Sequence, residues 1–152
     1  MSGAASCLKT DSGFLPMTKI HTGGCLCGAL RYEARGEPDM AGHCYCADCR
    51  KASGSGFIPF MNFSASALTI SGPSRQTVTP SARSTPSTRN FCISCSSLVF
   101  GGVVGESENF TIYAGSLDDP TGFRPQIAIF AAGRPDWAAL PAGLTVFDGL
   151  PG

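Results

Sequence analysis

Three cysteines within a six-residue stretch, Cys44, Cys46 and Cys49, limit what this chain can be more than any other feature. Cysteines one or two residues apart are poorly placed to form disulfides with one another, but their sulfur atoms can converge on one metal ion. No fourth cysteine is close by in the sequence. Three thiolates can hold zinc and leave one coordination position free, unlike a structural site closed by four protein ligands. The spacing therefore predicts an open metal site.

Two cysteine pairs flank this triple in the sequence. Cys25 and Cys27 are separated by one residue, so in an extended segment their side chains project to the same side. Cys92 and Cys95 have the C-x-x-C spacing of a zinc knuckle. The simplest partition joins the pairs in a closed structural site, which connects segments more than sixty residues apart and leaves the triple open. The alternative is a set of buried or disulfide-paired cysteines.

Other residues around the cysteines have more than one interpretation. His43 adjoins Cys44 and can donate a hydrogen bond to a sulfur, relay a proton, or act as a fourth ligand. Adjacent residues usually point in opposite directions, which disfavours ligation by both. Arg50 can offset the charge of three thiolates, while Lys51 is expected to be solvated surface. Cys7 is expected to be a free thiol rather than a ligand.

The composition indicates a single loop-rich β domain. The chain has 152 residues, of which 43% are apolar and 14% charged, with 19 glycines and 11 prolines. Residues 1–18 are expected to form an irregular extension and residues 19–152 the domain. The net charge is zero and basic residues are scattered, which argues against nucleic acid as a partner. No apolar run approaches the roughly 20 residues of a membrane span, and no signal-peptide pattern is present, so we expect a cytoplasmic protein.

Alternating and apolar stretches predict the strands. They are expected at residues 29–34, 57–63, 67–71, 76–79, 98–104, 110–114 and 125–130. Pro59 lacks an amide hydrogen, so the strand that contains it is expected near a sheet edge. Residues 47–52 are expected to form a helical turn, and the Ser/Thr/Pro-rich residues 80–88 a loop. Trp137 is expected to pack in the core.

The cysteine groups and their neighbours resemble the glutathione-dependent formaldehyde-activating enzyme family, which includes the CENP-V domain. The motifs that carry the resemblance are Gly24-Cys25-Leu26-Cys27-Gly28, His43-Cys44-Tyr45-Cys46 with Cys49-Arg50 and Gly54, Arg89 with Phe91-Cys92 and Cys95, Gly115 to Pro120, and Trp137 ahead of Gly143-Leu144 and Phe147. Ser96 departs from the family's usual glycine. Glycine there would supply a positive backbone angle, so Ser96 is expected to be mildly strained or the knuckle to turn differently.

The resemblance implies a β-tent fold, in which antiparallel sheets with few helical turns are built around zinc. It also implies two zinc ions. Cys25, Cys27, Cys92 and Cys95 would hold a structural ion, and Cys44, Cys46 and Cys49 a functional one. The family's named activity forms S-hydroxymethylglutathione from glutathione and formaldehyde and is classed as a carbon–sulfur lyase. Glutathione would therefore be the cosubstrate.

The expected chemistry follows from an open zinc position. A glutathione thiol would enter as a zinc-bound thiolate and attack formaldehyde, and water, His43 or another group would supply the proton. Arg50 and Arg89 are expected to bind glutathione carboxylates, since arginine can bind them bidentately. The expected partner is thus a small thiol or thiol adduct, and a homodimer stays open. One alternative is a non-catalytic zinc protein that binds glutathione or its adduct. Another is a structural zinc module that binds a protein partner, with His43 or Cys7 closing the second site and no affinity for glutathione.

Overall fold

The computed structural model describes residues 17–152, which form mostly short strands. The strands are β1 Ile20–Gly24, β2 Arg31–Arg35, β3 Met40–Cys44, β4 Ile58–Ser64, β5 Leu68–Ser71, β6 Ser74–Thr79, β7 Ser87–Cys92, β8 Leu98–Gly101, β9 Asn109–Tyr113, β10 Ile127–Ile129 and β11 Thr145–Val146. One α-helix, α1, covers Ala47–Ser53, and short 3₁₀ turns cover Ala65–Ala67, Ala114–Ser116, Pro120–Gly122 and Ala131–Gly133. The prediction of a mainly β protein is confirmed. None of the helices in residues 17–152 has the length and apolar character needed to cross a membrane.

The strands form two sheets of different size. The smaller sheet has the order β1-β2-β5, and the larger has the order β11-β10-β3-β4-β9-β8-β7-β6. Pairing is antiparallel except around β10, which runs parallel to both β3 and β11. This departs from the expected all-antiparallel arrangement. A loop and two 3₁₀ turns lie between β9 and β10, so β10 joins the sheet by a crossover and not by a hairpin.

Gly72 lies where the chain returns from the small sheet to the large sheet. This residue lies between β5 in the small sheet and β6 in the large sheet, and its φ is +93°. A Cβ atom there would lie 1.9 Å from the carbonyl oxygen of Ala29. Only glycine satisfies both the backbone angle and the close approach.

Strand β4 is interior and buried on both faces, so the prediction of an edge strand is wrong. It pairs with β3 on one side and β9 on the other. Pro59 is tolerated because pairing with β9 begins only at Phe60, so the proline has a strand neighbour on one side alone. Ile58 and Phe60 face one cluster, whereas Met61 and Phe63 face the core between the sheets. This two-sided burial explains why the segment reads as an apolar run.

Trp137 is not a core residue, contrary to the expectation from its size. Its side chain is 74% exposed, and its neighbour Ala138 takes the buried position. Residues 135–138 form a single turn closed by a hydrogen bond from the Ala138 amide to the Pro135 carbonyl. The indole ring lies over Gly56, where a Cβ atom would approach it to 3.0 Å. The turn therefore buries its small residue and leaves its large one outside.

Candidate functional site

The four cysteines of the two pairs lie together where β1 and β7 end. Their sulfur atoms are all within 4.8 Å of one another. The Cys27 sulfur is 3.6 Å from that of Cys25 and 3.7 Å from that of Cys92. Backbone amides of Leu30 and Ser94 donate to the sulfurs of Cys25 and Cys92, at 3.2 and 3.4 Å. Such donors stabilise sulfur in the anionic form.

This donor set fits a tetrahedral zinc ion. Four sulfurs at about 2.3 Å from zinc lie about 3.8 Å from one another, close to the separations observed here. Cys25 and Cys92 are buried, while Cys27 is exposed at the surface. None of these four residues lines the cavity described below. The group has the closed arrangement of a structural site.

The three cysteines of the central stretch form a second group around the start of α1. Cys44 ends β3, Cys46 is the N-cap of α1, and Cys49 lies in its first turn. The Cys49 amide donates to the Cys46 sulfur at 3.3 Å, so the helix start itself holds these two residues in place. All three sulfurs lie within 4.8 Å of one another and are buried. Cys7 lies outside the described residues.

The three thiols compete for negative charge. Hydrogen bonds from Cys44 and Cys49 lower the pKa of Cys46. The same contacts with Cys44 and Cys46 raise the pKa of Cys49, because it becomes the proton donor. Three buried sulfurs this close can all be thiolates only beside a cation. The donor set fits zinc, with fewer protein ligands than a closed site requires.

A cavity of about 460 Å³ opens beside the three-cysteine group. Its floor is one face of the large sheet, where the strand register sets the order of side chains. Cys44 pairs with Ile58, and the next positions along β4 pair Phe60 with Tyr113 and Asn62 with Thr111. The floor thus changes from sulfur and apolar groups at one end to polar groups at the other. A volume of this size accommodates a small peptide-like ligand.

Two arginines line this cavity, and one of them is buried. Arg89 is 5% exposed, and its guanidinium lies 3.9 Å from the Cys49 sulfur through Nη2 and 3.3 Å from the Thr79 hydroxyl through Nη1. Its Nε has no hydrogen-bond partner among the described residues. A buried cation with a free donor beside the thiols is suited to an anionic ligand. The prediction that Arg89 binds a carboxylate is untested, but its position is compatible with that role.

Arg83 is the second cavity arginine, and the sequence reasoning missed it. It lies in the loop between β6 and β7, with its guanidinium 5.7 Å from the centre of the Phe130 ring. The Ala82 amide donates to a carboxylate oxygen of Asp48 at 3.3 Å, so the loop is tied to α1. The predicted loop at 80–88 therefore forms part of the cavity wall. The sequence signal that could have identified Arg83 as a cavity residue is its place as an arginine within a Ser/Thr/Pro-rich loop.

Arg50 and Lys51 point elsewhere. Neither is among the residues that line the cavity, although both follow Cys49 directly on α1. Of the residues that adjoin Cys49 on α1, Asp48 lines the cavity, whereas Arg50 and Lys51 do not. The expected contact of Arg50 with glutathione stays a prediction. Lys51 is exposed, as expected.

His43 is buried outside the cavity. Its ring stacks on Phe57 with centroids 4.3 Å apart, and it packs against Tyr45 and Phe123. Burial lowers the pKa of His43, so the neutral ring is favoured. Side chains alternate along β3, which places this ring on the opposite face from the Cys44 sulfur. The expected proton relay stays a prediction, and the three-cysteine group as described contains no histidine.

Tyr113 is the other cavity residue that the sequence reasoning missed. It ends β9 and packs against the cluster that contains Cys44, Cys46 and Cys49. Burial raises the pKa of Tyr113 to about 12, so its hydroxyl is protonated at neutral pH. Nothing in the local sequence marks this residue, because only the pairing of β9 with β4 brings it beside the thiols.

Two comparisons with known proteins bear on this site. A model of the family "Glutathione-dependent formaldehyde-activating enzyme" matches residues 20–133. A solved crystal structure of a Rhodobacter sphaeroides protein is similar at 22% sequence identity, covers 68% of this chain and 91% of that chain, and superposes with a TM-score of 0.47. The family match spans most of the chain and includes all seven clustered cysteines. The chain belongs to the glutathione-dependent formaldehyde-activating enzyme family.

Proposed function

We propose that this protein is a zinc-dependent carbon–sulfur lyase that forms or cleaves the C–S bond of a glutathione adduct of the S-hydroxymethylglutathione type. One observation carries the proposal. Three buried thiols converge on the wall of a cavity of about 460 Å³, with a buried arginine beside them. None of the residues of the four-cysteine group lines this cavity. The site thus combines a three-sulfur donor set with room for a ligand.

Each part of the cavity has a defined task under this proposal. Cys44, Cys46 and Cys49 would hold a zinc ion, which would lower the pKa of a substrate thiol and so stabilise it as thiolate near neutral pH. The apolar residues Ile58 and Phe60 exclude water from the end of the cavity where the sulfur sits. Low local polarity strengthens every charge interaction there. The chain therefore favours an ionised sulfur nucleophile over solvated thiol.

The arginines orient the peptide part of the ligand. Glutathione carries two carboxylates, and guanidinium groups bind carboxylates bidentately. Arg89 is fixed by burial and by its contact with the Thr79 hydroxyl, so it contributes a preorganised donor. Arg83 is exposed on its loop and reaches the mouth of the same cavity. We assign the inner carboxylate to Arg89 and the outer one to Arg83.

The reaction balances without a further reactant. The glutathione sulfur attacks the carbon of formaldehyde, the new C–S bond forms, and the electron pair of the C=O bond moves to oxygen. The proton lost by the thiol is matched by one gained at that oxygen. Cleavage runs the same steps backward and expels the sulfur as thiolate. One site therefore serves both directions.

Calorimetric titration of glutathione into protein of measured zinc content tests this proposal. We expect two zinc ions per chain and saturable binding, and we expect Cys46→Ser to lose one zinc and the binding. Cys7→Ser is the matched control, because Cys7 is predicted to be a free thiol. Two zincs without any heat of binding would refute the proposal and leave a non-catalytic zinc module with a protein partner. One zinc per chain would show that the cysteines are divided wrongly.

A further inference from the structure

The hydroxyl of Tyr113 faces the cavity and has no hydrogen-bond partner among the described residues. The chain has three tyrosines. The hydroxyl of Tyr32 bonds with Ser116, and that of Tyr45 donates to the carbonyl of Ala139. The Tyr113 hydroxyl makes no hydrogen bond to another residue within 17–152, although Tyr113 packs against the hydrophobic cluster that includes the three cysteines. A polar group held beside a candidate reaction site and left unbonded is available to a ligand.

Gly101 allows this placement. It lies on β8 next to β9, and a Cβ atom there would be 3.2 Å from the Tyr113 hydroxyl oxygen and 3.0 Å from the Thr88 carbonyl. A side chain at this position would therefore crowd the phenol and narrow the cavity. Gly101 also pairs directly with Arg89 on β7. The hydroxyl thus lies above the same part of the sheet that carries the buried guanidinium.

The reaction needs a proton on the oxygen that formaldehyde contributes. The ionisable side chains that line the cavity are the three cysteines, Asp48, Arg83, Arg89 and Tyr113. The cysteines are assigned to the metal, the arginines do not release protons, and Asp48 is an acceptor that bonds the Ala82 amide. A phenol is protonated at neutral pH and can donate to an alkoxide. Among the described lining residues, Tyr113 has the right chemistry.

We infer that Tyr113 is the general acid that protonates the substrate oxygen in the lyase reaction. The inference rests on the proposed function. As the C–S bond forms and the C=O electron pair moves to oxygen, the phenol proton passes to that oxygen, and the phenolate regains a proton from solvent. Arg89, across from Gly101, stabilises the transient phenolate. In cleavage the phenol first loses its proton to solvent, and the resulting phenolate takes the hydroxyl proton of the adduct while the sulfur leaves as thiolate. Tyr113 thus takes the role of proton donor, for which the sequence left water, His43 or another group as candidates.

Tyr113→Phe tests this role because it removes only one oxygen atom. We expect kcat for adduct formation and cleavage, after subtraction of the uncatalysed rate, to fall by about 100-fold, the range of a lost general acid. The glutathione affinity, the zinc content and KM should stay within about twofold, since none depends on the proton transfer. The solvent isotope effect on kcat should also change. Tyr32→Phe, a buried tyrosine of the small sheet, is the matched control.

The outcomes separate the two proposals. If wild-type protein shows glutathione binding and catalysis but Tyr113→Phe keeps its kcat, the general-acid role is wrong and the lyase stands. A rise in KM with unchanged kcat would also overturn the role, because it would mean that Tyr113 only binds substrate. If wild-type protein neither binds glutathione nor catalyses, the proposed function and the role of Tyr113 fail together.

Discussion

The two cysteine groups use the same ligand chemistry in opposite ways. The four-cysteine group joins two turns 65 residues apart in sequence and reaches the surface at Cys27. The three-cysteine group comes from one continuous stretch and lies on the wall of a cavity. A metal that bridges distant segments restricts the unfolded chain strongly, whereas one bound by a local loop restricts it little. We therefore expect the first group to determine folding and the second to determine activity.

Loss of one ligand from each group should give the largest difference. Cys92→Ser removes a sulfur that is 1% exposed and disrupts the bridge between β1 and β7. Structural zinc contributes about 10 kcal/mol or more of binding energy to small domains, comparable with their whole stability of about 5–15 kcal/mol. We expect this variant to be unfolded. Cys46→Ser should keep a native circular dichroism spectrum and lose activity.

Thermal unfolding followed by circular dichroism, with zinc counted on the same samples, checks this contrast. The matched control is again Cys7→Ser, which should unfold like the wild type. A folded Cys92→Ser beside an unfolded Cys46→Ser would reverse the roles of the two groups. An equal loss of thermal stability in Cys92→Ser and Cys46→Ser would mean that the two groups do not divide into one for folding and one for activity.

The convergence of the sulfurs within each cysteine stretch was predictable because their spacing is a local property. C-x-C and C-x-x-C bring sulfurs together within one turn, whatever the rest of the chain does. For Ser96, the family resemblance predicted mild strain or a different turn of the knuckle, and its φ of 61° lies in the region that glycine favours. Helix α1 follows from Cys46 as its cap and Gly54 at its end. Each of these features depends on a few neighbouring residues.

The cavity could not be predicted, because it depends on which strands become neighbours. Tyr113 and Asn62 face it only because β4 pairs with β9. Pro59 suggested an edge strand, yet pairing with β9 begins one residue later. Trp137 suggested a core residue, but the side of a turn that packs inward is decided by the partner surface. Long-range pairing and packing leave little trace in local sequence.

Substitution of Arg89 tests whether this buried arginine, which lines the cavity, binds the ligand. Arg89→Lys keeps the charge but loses the planar pair of donors, and hydrogen bonds to charged groups contribute about 1.5–3 kcal/mol. We expect glutathione affinity to weaken by about 10- to 100-fold with zinc content unchanged. Arg75→Lys, on exposed β6, is the matched control. Calorimetry measures both variants, and a larger loss in Arg50→Lys than in Arg89→Lys would reassign the contact.

The buried His21 side chain should make the free energy of unfolding depend on pH. It is 5% exposed on β1, and burial, followed by the charge of Lys19, lowers its pKa below 6.5. The unfolded chain then binds more protons below pH 6.5, so stability is full above that pH and declines as pH falls. In His21→Phe the contribution of histidine protonation to the pH dependence of stability is absent. We expect the loss of stability between about pH 7 and 5.5 to be smaller than in the wild type.

Urea unfolding at both pH values, with zinc in excess, measures this difference. Lys19 and Glu37 are the charged groups that act on the ring, and both remain in the variant. His21→Phe also removes a buried Nε2 that has no partner among the described residues, so its stability at neutral pH should not fall sharply. The same pH slope in wild type and variant would show that the thiols alone cause the dependence.

Among residues 17–152, two non-glycine residues have a backbone in the left-handed region, one near each cysteine group, and their environments differ. Ser96, with φ 61°, follows Cys95 in the knuckle, and its amide donates to the Cys92 carbonyl at 2.9 Å. Phe130, with φ 54°, lines the cavity under the Arg83 guanidinium. Ser96→Gly should therefore relieve strain without loss of packing and stabilise the protein by about 0.5–1 kcal/mol. Phe130→Gly relieves the same strain but loses its ring, so it should destabilise. A rise in the thermal unfolding midpoint for Ser96→Gly, without one for Phe130→Gly, would show that packing of the serine side chain does not offset the backbone strain at the knuckle. A fall in the midpoint for Ser96→Gly would mean that the serine side chain stabilises the turn.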